Sequence, residues 1–280
     1  MTDRSDVVED IEFIARSTNR VQLLETLRDR GAATRVELRA SLSASRTTVT
    51  RNLDALEERD WVRHEDGAYA LAPGVDAIVD GFLDLEETLS VVDHLQPFLR
   101  WTTRDAFDVD LEHLGDAEIT VAEPGNPLAM VNAHVARVRE AERMTLALPV
   151  AGLHSYEILH EKVLDGDVTV DSVVTDGVAA SMTTDSEFAP LTADLLAADG
   201  FEMHRTATDI PFFVGILDDV VQVGVDEAGE PRALLETEND AVRDWAREKL
   251  ATLKRSAEPI GVDAVSTDAR TPSADSSSEL

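Results

Sequence analysis

Apolar residues recur at helical spacing in two adjacent stretches near the start of the chain. Ile11 and Ile14 lie within residues 10–16, and Val21, Leu23, Leu24 and Leu27 within 20–30; Ser17 and Asn19 are candidate caps between them, and Gly31 is a stop. Thr34 can cap a short helix carrying Val36, Leu38 and Leu42, and Ser45 a longer one, SRTTVTRNLDALEERDWV. On a helical wheel Val49, Leu53 and Leu56 share one face, while Thr47, Arg51, Asp54 and Glu58 fall opposite. The period then changes from helical to alternating. WVRHEDGAYALAP predicts a hairpin of residues 62–65 and 68–71 turning at Asp66 and Gly67. Residues 1–72 therefore form one expected domain of helices followed by a hairpin.

Pro73 and Gly74 mark a boundary. Beyond it Val75, Ile78, Phe82, Leu85, Leu89 and Val92 follow an alternating 3,4 rhythm, which predicts a connecting helix within residues 73–101 that ends or kinks near Pro97. Ile78, Phe82, Leu85 and Leu89 are the candidate seam of a homodimer; packing against the chain's own second domain is the alternative. From residue 117 the segments alternate: AEITVAE (strand), NPLAMVNAHVARVREA (helix opened by Pro127), RMTLALPV (strand), LHSYEILHEKVLDG (helix), DVTVDSVVT (strand) and SEFAPLTADLLAADG (helix). FEMHRTA, IPFFVGILD, DVVQVGVD and PRALLET then read as an antiparallel meander closed by a helix from residue 240. Residues 102–262 are expected to be an α/β domain with a mixed sheet, parallel βα units first and the meander after. Residues 263–280 are polar and without periodicity, and read as a disordered tail.

Charge changes this picture in one respect. The 280 residues carry 56 acidic and 25 basic side chains, net −31, and only Lys162, Lys249 and Lys254 are lysines. Bulk positive attraction to nucleic acid, or adsorption to an anionic membrane, is excluded. The composition resembles that of proteins from salt-in halophilic archaea, in which acidity is an adaptation to solvent. Yet residues 1–72 hold 11 arginines against 14 carboxylates, net −3, so the first domain has been spared most of the acid. Cysteine is absent, which removes disulfides, thiolate zinc sites and a cysteine nucleophile. With no apolar run of membrane length and an acidic rather than signal-like start, a cytoplasmic protein without membrane contact is expected.

The spared acid coincides with a hydrogen-bonding surface. Ser45, Arg46, Thr47, Thr48, Thr50 and Arg51 occupy the first two turns of the fourth helix, and carboxylates begin only at Asp54. Such side chains donate to phosphates and base edges, so double-stranded DNA is the expected partner, with Arg35 and the hairpin residues Arg63 and His64 as further contacts. The alternative is a helical bundle whose polar face meets no nucleic acid. The run R-V-x-L-L-x-x-L, then S-x-x-T-V-x-R-x-L-x-x-L-x-x-x-x-W-V, then the hairpin resembles the winged helix-turn-helix of ArsR or MarR type regulators. Residues 210–250, with an I-P-F strand, the acidic turn at Asp218 and Asp219, a glycine-containing hairpin and a last helix around Trp245, resemble the end of the domain that follows a winged helix in archaeal regulators of the methanogenesis-regulator family. The two resemblances imply a transcription regulator with a C-terminal effector or assembly domain. A protein-interaction or enzyme-like module with the winged helix as a docking surface is the other reading.

Catalytic patterns are sparse. His160, Lys162 and Asp167 fit H-x-K-x-x-x-x-D, the phospholipase D spacing, but in a helical stretch i and i+2 diverge and cannot face one substrate. GxGxxG, P-loop, HExxH and G-x-S-x-G patterns are missing, so neither an enzyme nor a cofactor is expected. His64 is the first domain's single histidine, which argues against a metal sensor there. A small-molecule effector is expected beyond the carboxyl ends of the parallel strands, where the turns supply Glu123, Asn126, His154 and Asp176.

Overall fold

The computed structural model describes residues 3–265 apart from 43 and 104. Two compact units divide between Ser90 and Val91. In the first, α1 (Arg4–Ala15) and α2 (Thr18–Arg30) precede β1 (Ala32–Thr34), α3 (Arg35–Ser41), α4 (Arg46–Glu57), β2 (Val62–Glu65) and β3 (Ala68–Leu71). Local chemistry sets these boundaries. Gly31, at φ +77°, stops α2 where a side chain would be strained. Thr34 and Glu37 form a reciprocal capping box on α3, and the Ser45 hydroxyl accepts from the Thr48 N–H at 3.2 Å on α4. Asp66 and Gly67, at φ +52° and +84°, make the tight turn whose twist suits two antiparallel strands.

The three strands pair antiparallel in the order β1-β3-β2. Leu23, Leu24 and Leu27 of α2, Leu38 of α3, Val49, Leu53 and Leu56 of α4, and Trp61 and Tyr69 make the core beneath them. The strand β1, absent from the sequence reading, has three residues and pairs Ala33 with Tyr69.

The connecting helix α5 (Val75–Leu99) is 25 residues long and, as expected, ends near Pro97, two residues beyond it. Pro97 lies within the last turn, so its missing N–H leaves the Asp93 carbonyl without that bond and little helix follows it. The 3,4 seam needs correction. Val75, Val79, Phe82 and Leu83 pack on the first unit's core, so Phe82 is partly consumed by its own domain, while Ile78, Leu85 and Leu89 are 42%, 47% and 56% exposed. A straight helix presents i, i+4, i+7 and i+8 to a globular core, and that stripe takes Phe82 out of the heptad row.

The second unit begins with the end of α5 and a short 3₁₀ turn, Leu111–Leu114. There follow β4 (Glu118–Val121), α6 (Ala129–Glu140), β5 (Arg143–Leu148), α7 (Leu153–Asp165), β6 (Thr169–Thr175), α8 (Asp176–Thr184), α9 (Phe188–Ala197), β7 (Phe201–Thr206), β8 (Phe213–Leu217), β9 (Val220–Glu227), β10 (Glu230–Thr237), α10 (Asp240–Arg255) and β11 (Glu258–Pro259). Among the described residues they build one sheet of eight strands, ordered β11-β7-β6-β5-β8-β9-β10-β4. The chain is thus α+β, with a mixed sheet in this unit.

The parallel set is β5, β6 and β7, not the three strands expected. FEMHRTA belongs to it rather than to the meander, which is β8, β9 and β10. AEITVAE instead forms β4, antiparallel to β10 at the far edge. Helix α6 opens at Ala129 rather than Pro127, and α8 was not expected. The tail read from Asp263 opens with a 3₁₀ turn at Val262–Ala264; from residue 266 it lies outside the described residues.

Alternation along the strands separates two cores. Met144, Leu146, Val170, Met203, Phe213 and Leu234 pack with α6, α7, α8 and α9, whereas Ala147, Val173, Val214, Val221, Val223 and Leu235 pack with α10 and the end of α5. Gln222, between Val221 and Val223, therefore faces α6, and it is fully buried.

Candidate functional site

Helix α4 turns Val49, Asn52, Leu53 and Leu56 inward, which leaves Arg46, Thr47 and Arg51 exposed and Thr48 and Thr50 half-buried along its outer edge. Ser45 is exposed but occupied: its oxygen caps Thr48 and lies 2.9 Å from the Thr48 hydroxyl. The first carboxylate on this helix is Asp54, exposed. Its outer edge can thus donate several hydrogen bonds to an anionic or polar surface before meeting like charge.

The other expected contacts divide. Arg35 donates to the Tyr69 hydroxyl, which raises its pKa, and its guanidinium lies 5.5 Å from that ring's centroid. His64 stacks on the same ring at 4.2 Å and 10°. Arg35 and His64 are therefore held by Tyr69, while Arg63 is exposed on β2.

A second cationic group was not anticipated. The Phe13 ring lies between two guanidinium groups, Arg20 at 3.6 Å and Arg59 at 3.7 Å from its centroid, distances that require opposite faces. Burial, then Arg59 and Arg51, push the Arg20 pKa below its ordinary value. Asn52 anchors this group. Its Oδ1 accepts from Arg20 at 3.3 Å and from the Ser17 hydroxyl at 3.4 Å, and its Nδ2 donates to the Thr48 carbonyl at 3.0 Å. A polar residue on the apolar face of α4 was the signal available in the sequence.

The four residues expected to line an effector pocket are not brought together. Glu123 and Asn126 pair with each other's backbone in the turn after β4. Four strand intervals separate β4 from β5, about 19 Å at the usual spacing. His154 stands in the first turn of α7, 63% exposed and 3.8 Å from Glu157. Asp176 lines a groove of about 710 Å³ that Arg205, Thr183, Glu258 and Ile260 also border. Glu123 and Asn126 stand apart from the other two because β4 pairs with β10 and is not in the parallel set.

The phospholipase-like residues are likewise apart in role. His160 and Lys162 both lie on α7; His160 Nε2 is 3.2 Å from Asp194, and Lys162 donates to the carbonyls of Arg139 and Ala141. On the α10 side of the sheet, Asp171, Glu202 and His204 offer ligand atoms within 4.8 Å of one another, with the Lys254 ammonium 2.5 Å from Asp171 and 3.1 Å from Glu202. That ammonium offsets one of the two negative charges and holds the Glu202 pKa below its ordinary value.

Comparison with known proteins adds to this geometry. Residues 8–94 match the HVO_A0261 N-terminal domain, and residues 127–256 match the middle domain of the methanogenesis regulatory protein FilR1. The two matches support a family of transcription regulators. The C-terminal likeness, expected on residues 210–250, extends over most of the second unit. No curated protein matches the chain. Among solved structures, TrmBL2, an archaeal chromatin protein, is 11% identical with 89% of this chain and 98% of that chain covered, at a TM-score of 0.41. NucT from Helicobacter pylori is 13% identical, covering 52% and 99%, at 0.42. Nuc from Salmonella typhimurium, a phospholipase D family member, is 12% identical, covering 52% and 99%, at 0.39.

Proposed function

We propose that the chain is a sequence-specific, DNA-binding transcription regulator in which residues 1–72 form a winged helix, α4 enters the major groove and the β2–β3 hairpin is the wing. The observation that carries this reading is the outer edge of α4, where Arg46, Thr47 and Arg51 are exposed ahead of the first carboxylate. In this docking mode the N-terminal half of the recognition helix meets the base edges. Arg63 touches the backbone. Arg35 and His64 act through Tyr69, fixing the hairpin against the start of α3. Two copies join through Ile78, Leu85 and Leu89, and the second unit is an effector domain that regulates without catalysis. The protein acts in the cytoplasm of a halophilic archaeon; among the described residues no helix is long and apolar enough to cross a membrane.

A gel shift with the chain's own promoter region, in molar KCl, tests the reading. Arg51→Ala is expected to cost about 1–3 kcal/mol and to relax preference at one base pair. Arg63→Ala is expected to weaken all sequences alike. Equal, sequence-blind losses from both variants would remove α4 from the groove, and absence of any shift would leave the winged helix as a protein-docking surface.

A further inference from the structure

On the α6 face of the sheet a polar chain crosses an apolar core. Glu236 on β10 accepts from Arg137 at 3.4 Å and from the Gln222 amide at 2.9 Å; the Gln222 carbonyl oxygen lies 2.8 Å from His134 Nδ1. The direction of this chain is fixed by chemistry. An ionised carboxylate beside an arginine only accepts, so the Gln222 NH₂ must point at Glu236 and its oxygen at His134. Nδ1 of His134 must then carry the proton. In the neutral ring Nε2 is left as a bare acceptor, and among the described residues no group bonds to it. Burial lowers the His134 pKa, which keeps the ring neutral.

The same ring lines a cleft of about 40 Å³ with Met144, Leu146, Leu148, Leu159 and Met182, at the carboxyl end of β5. By that measure there is room for about three waters, on the scale of one small ring. The other polar side chains at the cleft are already engaged: Ser155 donates to the Gly152 carbonyl at 3.0 Å, and the Tyr156 hydroxyl, its pKa pushed up to about 12, is 3.0 Å from Thr192. Among the described residues no carboxylate, lysine or arginine borders the cleft. A bound ion would therefore be stripped of water without a counter-charge. A carboxylate would also set acceptor against acceptor at Nε2.

We infer that this cleft binds a small neutral molecule with an apolar body and one hydroxyl group, an alcohol or a phenol, whose O–H donates to His134 Nε2. As the effector site it rests on the regulatory reading above; as a binding site it does not.

Phenol and fluorobenzene, one ring with and without the donor, are the probes. They are titrated into the full chain at fixed KCl, with binding followed by calorimetry and the His134 ring by long-range proton–nitrogen correlation. The ligand-free spectrum is expected to show hydrogen on Nδ1 and none on Nε2. Phenol should shift the Nε2 signal and bind roughly tenfold tighter than fluorobenzene, the worth of one hydrogen bond. His134→Phe should abolish that difference, and Ala151→Leu, which fills the cleft, should weaken both probes. A protonated Nε2 in the free protein, equal affinity for the two probes, or a phenol preference surviving in His134→Phe overturns the site. The tautomer measurement needs no variant and stands if a substitution prevents folding. Phenol binding that leaves promoter affinity unchanged removes the effector role and keeps the site.

Discussion

The Glu236–Gln222–His134 chain makes a prediction that separates coupled from independent interactions. Gln222→Leu removes the acceptor of the His134 Nδ1 proton and one donor to Glu236, in a place where Gln222 is 0% exposed. A buried donor left without a partner costs about 1–3 kcal/mol. Glu236 contributes little to that loss because Arg137 still holds it. His134→Phe keeps the ring volume and its edge-to-face contact with Phe213, now 5.0 Å between centroids, but leaves the Gln222 oxygen unpaired at a similar cost. With both changes together no donor or acceptor is left between α6 and β9, and the double variant should lie within about 1 kcal/mol of the parent. The interaction energy of the cycle, the two single losses less the double one, is thus expected at about 1–6 kcal/mol in favour of the pair. Denaturant unfolding at constant KCl, followed by the fluorescence of Trp245 in the second unit, measures all four proteins. If the double variant loses the sum of the two single losses, the residues act separately and the tautomer argument for His134 fails.

Two further outcomes follow from single features. Leu85→Asp with Leu89→Asp replaces side chains that are 47% and 56% exposed, so folding should be retained while light scattering reports a monomer; an unchanged dimer would place the interface elsewhere. The lowered His134 pKa makes stability depend on acid: the unfolded chain takes up this proton near pH 6.5 and the folded chain only below that, so stability is full above 6.5 and falls as pH drops toward the folded value, by at most about 1.4 kcal/mol per pH unit. His134→Phe should flatten that part of the stability profile, and an unaltered slope would show that other groups cause it.

Local signals were legible where one residue's chemistry suffices. The Asp66–Gly67 turn, the Ser45 cap and the inward stripe of Val49, Leu53 and Leu56 each follow from a few neighbouring side chains, although the compact unit they belong to runs on to Ser90, past the boundary read at Pro73. Strand partners are not local. AEITVAE was recognisable as a strand, yet nothing within it says that β10 rather than β5 lies beside it, and that one pairing takes Glu123 and Asn126 away from His154 and Asp176. Short elements also escaped. β1 has too few residues to alternate, and α8, DGVAASMTT, carries small side chains in place of an apolar stripe. The His134 cleft was missed although Gln222 inside VVQVGV was a visible anomaly, since a lone polar residue in a buried strand needs a partner from another element.

The charge of the chain constrains how it can hold DNA at all. At net −31, a duplex is repelled over the roughly 10 Å Debye length of 0.1 M salt, whereas at 1 M that length is about 3 Å and only groups in contact count. Molar salt therefore hides the acid of residues 73–280 while leaving the hydrogen bonds proposed for Arg46, Thr47 and Arg51 at their contact distances. It also removes most of the entropy gained elsewhere by releasing counterions from phosphates, which for a basic protein steepens the loss of affinity by about 0.9 logarithmic units per phosphate. The two effects oppose each other here. Promoter affinity should consequently change little with KCl, or rise, between a few tenths molar and molar concentration, as measured by fluorescence anisotropy. A steep fall matching several phosphates would mean that the arginines around Phe13, Arg20 and Arg59, grip the backbone as well, and that the contact surface reaches well beyond α4.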